Sequence, residues 1–197
     1  MYKLFFKRFI DIIIGLVAFP FILGLTIIIG VFIQFDDGGP VFHRGERMGK
    51  NGAIFKMYKF RSMKVNSPDL RNADGSTFNG DNDPRVTRIG KFLRKTSIDE
   101  IPQLFNVLLG DMSLIGPRPS LTTTPYSQYN DIRKKRVSIR PGVTGYSQAY
   151  FRNSISQEEK FKYDCEYVDN ISFIDDVKIL IKTFFSVIKR DNIYVKQ

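Results

Sequence analysis

The amino-acid sequence predicts an α+β fold, predominantly helical, with an N-terminal re-entrant membrane helix and a compact domain carrying a small β-hairpin or sheet and interfacial helices. Three observations predict it. Residues 12–33 form an uncharged apolar run. A short alternating segment follows, folded about a Gly- and Asn-containing turn. Beyond residue 88, apolar side chains recur at helical spacing. A chain of 197 residues can bury one substantial core. The expected division is residues 1–35 as the membrane-inserted element and 36–197 as one domain.

Ile12 to Ile33, "IIIGLVAFPFILGLTIIIGVFI", is 22 residues without a charge. As one straight helix it would extend about 33 Å, enough for a bilayer core of roughly 30 Å. It is longer than the apolar part of a secretory signal and lacks a small-residue cleavage site. Pro20, near the middle, removes one backbone N–H and sets its ring against the Leu16 carbonyl. Spanning helices tolerate that defect too, so the flanks discriminate better. Lys3, Lys7 and Arg8 precede the run, and Arg44, Arg47, Lys50, Lys56, Lys59, Arg61 and Lys64 follow it. Positive charge favours the cytoplasmic side, and here both ends are positive. A helix broken at Pro20 and returning to the face it entered satisfies both ends; a simple span does not.

"DDGGPVF" reads as a turn into an extended segment, and "AIFKMYKF" alternates as a strand does. Together they predict a hairpin within Val41 to Met63, turning at "RMGKNG". Residues 64–84, polar and rich in Asn, Asp and Gly, read as a long surface loop over or beside a site. Helices are expected over 88–94 and 100–109, the second with Leu104, Val107 and Leu108 on its apolar face. In "SFIDDVKILIKTFFSVIKR" the residues Ile174, Val177, Ile181, Phe184 and Ile188 share a helical face, with Lys178, Lys182, Lys189 and Arg190 available to the other. Such a helix packs on a core or lies on an acidic membrane, and spacing leaves both open.

With 30 Lys and Arg against 20 Asp and Glu, the net charge is +10. That excess suits nucleic acid, an acidic lipid surface or a phosphorylated substrate. The single Cys165 excludes an intramolecular disulfide and a Cys-rich zinc site, and the acids flanking it mark a structural thiol. The single His43 excludes a His-rich metal centre and argues against a Ser-His-Asp triad. Chemistry here must rest on carboxylates, Arg, Lys and an oxygen-liganded metal, a set suited to phosphoryl transfer.

Two adjacent acids stand out in "KTSIDEIPQLFN". Ser97-Ile98-Asp99-Glu100 matches a capping box, with Ser97 as N-cap and Glu100 reaching back. That register puts Pro102 where its missing N–H is already needed; a start at Asp99 puts it in the first turn, where no bond is lost. From spacing alone a helix start is the plainer reading of the pair. The surroundings point further. "DPRVTRIGKFLRK" brings Arg85, Arg88, Lys91, Arg94 and Lys95 just ahead of the acids, "GPRP" fixes Arg118 on a stiff turn, and "IRPGVTGYSQAYFRN" adds Arg140 and Arg152. Arginines on Pro- and Gly-containing turns make good phosphate clamps.

The ordered segments "PVFHRGERMGKNGAIFKMYKFRSM", "DPRVTRIGKFLRKTSIDEIPQLFNVLLGDMSLIGPRP" and "RPGVTGYSQAYFRN" resemble the bacterial sugar transferase family, the monotopic phosphoglycosyl transferases. The likeness covers essentially the whole chain, whose length is similar to that of the family's small members. It implies transfer of a sugar-1-phosphate from a UDP-sugar to polyprenyl phosphate with release of UMP. It implies dependence on Mg²⁺ and work at the cytoplasmic face of a bacterial inner membrane, with membrane lipids but no nucleic acid as partners. By the same resemblance Asp99 is the nucleophile and a metal ligand, and Glu100 helps place the metal or accepts a proton. Arg118 and Arg152 hold phosphate oxygens, Pro119 shapes the turn, and Lys59, Arg94 and Asp176 match further positions near the site.

The chain departs from the family pattern twice. Phe19-Pro20 stands where many members have Ser-Pro, and "AYFRN" stands where many have Gly before the Arg-Asn pair, which puts Phe151 at a position open to sugar or nucleotide. A rival from another class, a non-catalytic membrane-anchored basic module binding acidic lipid or nucleic acid, accounts for charge and anchor. It leaves Asp99 and Glu100 without a role.

Overall fold

The structure, a computed structural model, describes residues 2–70, 78, 80 and 83–189. Residues 71–77, 79, 81 and 82 of the expected 64–84 loop therefore lie outside the described residues.

The apolar run forms α1, Lys7–Asp37, helical without interruption through Pro20 and ended by Gly38 in the left-handed region at φ 70°. It is the one helix among the described residues long and apolar enough to cross a membrane. Most of its side chains face outward, including Phe9, Leu16, Val17, Phe21, Ile27, Ile28 and Phe32. The chain does not leave helical conformation at Pro20, contrary to the expected break. Both ends of α1 are nevertheless fastened to the same domain. Near its start, Lys7 pairs with Asp176 at 2.6 Å, Arg8 donates to the Val107 carbonyl at 2.7 Å, and Asp11 accepts from the Leu114 N–H at 2.9 Å. At its end, Asp37 accepts a bidentate pair from Arg61, and Asp36 accepts from the Ile89 N–H.

The hairpin forms as expected. β1, Phe42–Met48, pairs antiparallel with β2, Ile54–Phe60, Phe42 facing Phe60 and Met48 facing Ile54. Asn51 and Gly52 take positive φ in the turn, as Asn-Gly does readily. Two helices follow, α2, Arg88–Thr96, and α3, Gln103–Leu109. Thr87 caps α2 by accepting from the Gly90 N–H. Asp36, arriving from the end of α1, satisfies a second free N–H of the same turn.

A second sheet has only two short strands, β3, Ser113–Ile115, and β4, Gly142–Thr144, in parallel. Their backbones approach so closely that a Cβ at Gly142 would collide with Gly116. Between them lie the GPRP turn and α4, Asp131–Arg136; after them come α5, Tyr146–Tyr150, α6, Gln157–Asp169, and α7, Phe173–Lys189. The main core gathers Phe55 and Met57 from β2, Val107 from α3, Met112 just before β3, Leu114 and Ile115 from β3, and Ile179 from α7. A second cluster packs Ile29 and Ile33 of α1 on Phe60 and Leu93. The helix therefore contributes core of its own, and each fully buried aliphatic chain there stabilises by about 1.5–3 kcal/mol.

α7 does not pack its apolar stripe on the core. Ile174, Val177, Ile181, Phe184 and Ile188 are exposed, and only Asp176 and Ile179 are buried. The apolar face turns away from the core and is left exposed among the described residues.

Candidate active site

Asp99 and Glu100 sit on a short 3₁₀ turn, Ile98–Glu100, between α2 and α3. Its origin is local. α2 ends with Ser97 in the left-handed region at φ 58°, its N–H bonded to the Arg94 carbonyl at 3.2 Å. A residue closing one helix in that way cannot open the next, and the Ser97 side chain makes no capping bond. The capping box read from spacing is not formed. Pro102 precedes α3 in helical conformation, at a position where its missing N–H costs nothing. The second helix thus starts at Gln103 and not at residue 100, and the acid pair is left outside both helices.

One helix ties the pair to the strand opposite. Asn106 of α3, fully buried, accepts from the Tyr58 N–H at 2.9 Å and donates to the Lys56 carbonyl at 2.8 Å. β2 is held against the segment carrying the acids, and Lys59 reaches across. Its Nζ donates to Glu100 Oε1 at 2.5 Å, while Arg118 Nη2 lies 3.5 Å from the same oxygen. No hydrogen bond or ion pair engages the Asp99 carboxylate among the described residues.

The two acids are consequently unlike. Burial, helped by the Glu100 charge, outweighs the pull of Lys59, Arg94 and Arg118 and pushes the Asp99 carboxyl up to about 6. Burial also pushes Glu100 up, but the Lys59 and Arg118 charges, the Lys59 hydrogen bond and the Arg152 charge outweigh it and hold the group at about 2. At neutral pH Glu100 is an anion already matched by cations. Asp99 is an anion in a cationic surround with no direct partner.

The other expected site residues fall into three groups. Lys59 and Arg118 contact Glu100 directly. Arg94, whose Nε donates to Ser62 Oγ at 3.0 Å, acts on Asp99 through its charge, and Arg152, at φ 47° on the turn after α5, acts on Glu100 in the same way. Pro119 lines a small cavity behind the GPRP turn with Pro117, Met48 and Arg136.

Asp176 does not belong with them. Its two oxygens accept from Tyr2 Oη at 2.6 Å, Lys7 Nζ at 2.6 Å and Tyr167 Oη at 2.6 Å. This buried carboxylate pins the N-terminal segment to α6 and α7. Burial together with the Asp176 charge holds both tyrosine hydroxyls protonated well above their usual range.

A buried network behind the GPRP turn was not foreseen. Arg136 donates through Nε to Asp164 Oδ2 at 2.7 Å, through Nη1 to Ser120 Oγ at 2.6 Å and through Nη2 to the Arg118 carbonyl at 2.5 Å. Asp164 also accepts from Ser147 Oγ at 2.7 Å. Arg136 therefore fixes the backbone from which Arg118 extends. In the sequence it is one cation in a Lys-Lys-Arg run, with no motif to separate it from solvated charge.

No three His, Cys, Asp or Glu side chains converge among the described residues. The acid pair offers at most two carboxylates, a set that fits Mg²⁺, which commonly takes one or two protein carboxylates and completes its shell with water and phosphate oxygens. The unengaged Asp99 carboxylate, with its raised pKa, is the donor a cation would best satisfy.

The chain is similar to several known proteins. The chain is 45% identical over 188 residues to galactosyl transferase CpsE of Streptococcus agalactiae, covering 90% of this chain and 41% of that protein. It is 38% identical over 202 residues to undecaprenyl-phosphate galactose phosphotransferase of Salmonella typhimurium, covering 96% and 42% respectively. It is 41% identical over 191 residues to the uncharacterized sugar transferase EpsL of Bacillus subtilis, covering 95% and 89%. The chain thus spans about two fifths of the length of the first two and most of the third. Residues 2–190 match the family described as bacterial sugar transferase, and with a match of that extent the chain belongs to the bacterial sugar transferase family.

Proposed function

We propose that this protein transfers a sugar-1-phosphate from a UDP-sugar to polyprenyl phosphate, releasing UMP, in two displacements at Asp99. The observation that carries the proposal is the split acid pair: Glu100 is tied down by Lys59 and Arg118, while Asp99 is ionised at neutral pH and unengaged. In the first displacement an Asp99 oxygen attacks the β-phosphorus. The bond from that phosphorus to the bridging oxygen breaks, and UMP leaves with the oxygen. In the second, a phosphate oxygen of the lipid attacks the same phosphorus and Asp99 departs as a carboxylate. The product is a polyprenyl diphosphate sugar. Dividing one transfer in two lets a water-soluble donor and a membrane-held acceptor use a single site in turn.

A carboxylate attacks a phosphoanion only where charge is neutralised. Arg118, half-exposed on a rigid turn, is free to swing toward a phosphate, and Lys59 and Arg94 add fixed positive charge. Asp99 and Glu100 would hold Mg²⁺, whose charge would screen the diphosphate. The relatives named for transfer to a lipid carrier, including UDP-galactose-lipid carrier transferase of Erwinia amylovora, support sugar-phosphate transfer to such a carrier. We further propose that α1 enters and leaves the membrane on one side, the cytoplasmic one, because both its ends are bonded to the domain that holds the site.

The test is UMP release from a panel of UDP-sugars. Without acceptor, the protein releases at most one equivalent; polyprenyl phosphate makes release continuous, and EDTA stops it. Continuous release that survives exhaustive chelation contradicts the metal assignment, and no release from any UDP-sugar contradicts the reaction.

A further inference from the structure

A second cavity opens between the turn after α5 and the C-terminal part of α7, apart from the Lys59–Glu100 pair. Its walls include Tyr150, Phe151 and Arg152 on one side and Lys182, Phe185 and Lys189 on the other. Its volume is about 130 Å³, where a liquid water occupies roughly 30 Å³, so it takes a group larger than a single solvent molecule. Three cations line it, and no carboxylate is among the lining residues. Among the described residues Lys182 and Lys189 form no ion pair, and Lys182 instead sits over the Tyr150 ring at 5.6 Å. The aromatic wall is built and rigid: Phe151 stacks on Tyr163, and Tyr150 on Tyr146, each at 4.6 Å.

What lies next to the cavity narrows the ligand. Lys182 and Lys189 are seven residues apart on α7, two helical turns, so both ammonium groups rise on one side with Phe185 between them. The neighbouring face exposes Ile181, Phe184 and Ile188, each more than half accessible. A cationic cavity bordered by an exposed apolar stripe is complementary to an anionic head on an apolar tail. A soluble nucleotide would use the cations and leave the stripe uncovered. Arg152 connects this cavity to the site already described, since its charge also reaches Glu100.

We infer that the α5–α7 cavity binds the phosphate head of the lipid acceptor between Arg152, Lys182 and Lys189, with the lipid chain running along the exposed apolar face of α7. The inference rests on the proposed two-step transfer and assigns its second substrate a place. The head group enters from the membrane side once UMP has left, and meets the phosphosugar carried by Asp99. Neither lysine touches Asp99 or Glu100, so their contribution belongs to the acceptor half of the reaction alone.

The experiment separates the two halves in the full-length protein. Wild type and the Lys182→Ala/Lys189→Ala variant are each loaded with UDP-sugar and Mg²⁺, the phosphosugar adduct is followed by intact mass, and polyprenyl phosphate in detergent micelles is then added. The expected result is adduct formation at the wild-type rate with discharge slowed at least tenfold, through a higher KM for the lipid. Lys182→Arg/Lys189→Arg, which keeps both charges, restores discharge at high lipid concentration. Normal discharge by the alanine variant overturns the assignment. A raised KM for the UDP-sugar in adduct formation, with normal discharge, gives the cavity to the nucleotide and overturns it equally. Absence of any adduct in wild type counts against the two-step reaction itself, a failure distinct from either.

Discussion

Lys59 donates to Glu100 at 2.5 Å, while Asp99, the residue before it, has no hydrogen-bond or ion-pair partner among the described residues. The bond crosses from β2 to the 3₁₀ turn and gives two adjacent carboxyls opposite characters. Lys59→Met removes it, leaving Glu100 with Arg118 alone at 3.5 Å. The cost is about 2 kcal/mol of stability, below that of breaking a fully buried pair because both side chains retain some water contact. UMP release should fall by about a hundredfold as fixed positive charge at the phosphate is lost. Denaturant unfolding and UMP release on one preparation check both figures.

The two acids should also shift stability in opposite senses. Asp99 rises from 3.8 to about 6 on folding, so between those values the folded protein holds a proton the unfolded chain has released, and stability falls as pH rises through the window. Glu100 drops from 4.5 to about 2, so its contribution is present above 4.5 and is lost as pH falls toward 2. At pH 7 Asp99→Asn should therefore melt at or above the wild-type temperature and Glu100→Gln below it. Both differences narrow at pH 4. Thermal melts at the two pH values decide, and a destabilised Asp99→Asn at pH 7 contradicts the assignment.

The same raised group reports on the metal. In metal-free protein the Asp99 carboxyl should titrate near pH 6, followed by carbon NMR with labelled aspartate. Mg²⁺ favours the ionised form, so adding it moves the midpoint down if Asp99 is a ligand. A midpoint unmoved by millimolar Mg²⁺ argues against metal at this carboxylate.

How legible was all this in the sequence? The hairpin was readable because alternation and an Asn-Gly turn state the same answer. The cationic surround of Asp99 and Glu100 was readable from the Pro- and Gly-framed arginines. The capping box failed because Ser97 was already spent closing α2, a commitment local spacing does not show. The bonds of Asp176 were not readable because its partners Tyr2 and Lys7 come from the far end of the chain. The Arg136–Asp164–Ser147 network and the parallel pairing of β3 with β4 were invisible for a related reason. Strands of three residues and buried charges in ordinary charge runs carry no periodic signal.

That network makes a prediction of its own. Asp164→Leu strands the Arg136 guanidinium inside the protein, at a cost of about 3–5 kcal/mol. Replacing both, as Arg136→Met with Asp164→Leu, should cost less than the sum of the single changes. The double variant also loses the donor to the Arg118 carbonyl, so its KM for UDP-sugar rises even where the fold survives. Denaturant unfolding and donor kinetics of the three variants check this.

Membrane topology follows from the bonds at the two ends of α1. With Cys165 replaced, single cysteines placed near Lys3 and near Lys50 should both be shielded from a membrane-impermeant thiol reagent outside intact cells. Labelling of the Lys3 site from the periplasm contradicts a same-side arrangement. Pro20→Ala restores a backbone N–H in the middle of the apolar run and should move a fraction of molecules toward a spanning state, seen as partial labelling at that site.

Mass spectrometry of the peptide containing Asp99 tests the central claim most directly. Protein mixed with a UDP-sugar and Mg²⁺, without acceptor, should carry a phosphosugar on that peptide in up to one equivalent. The adduct should disappear when polyprenyl phosphate is added and never form in a folded Asp99→Asn variant. A wild-type protein that turns over with no adduct at Asp99, or an Asp99→Asn variant that keeps its activity, contradicts the account.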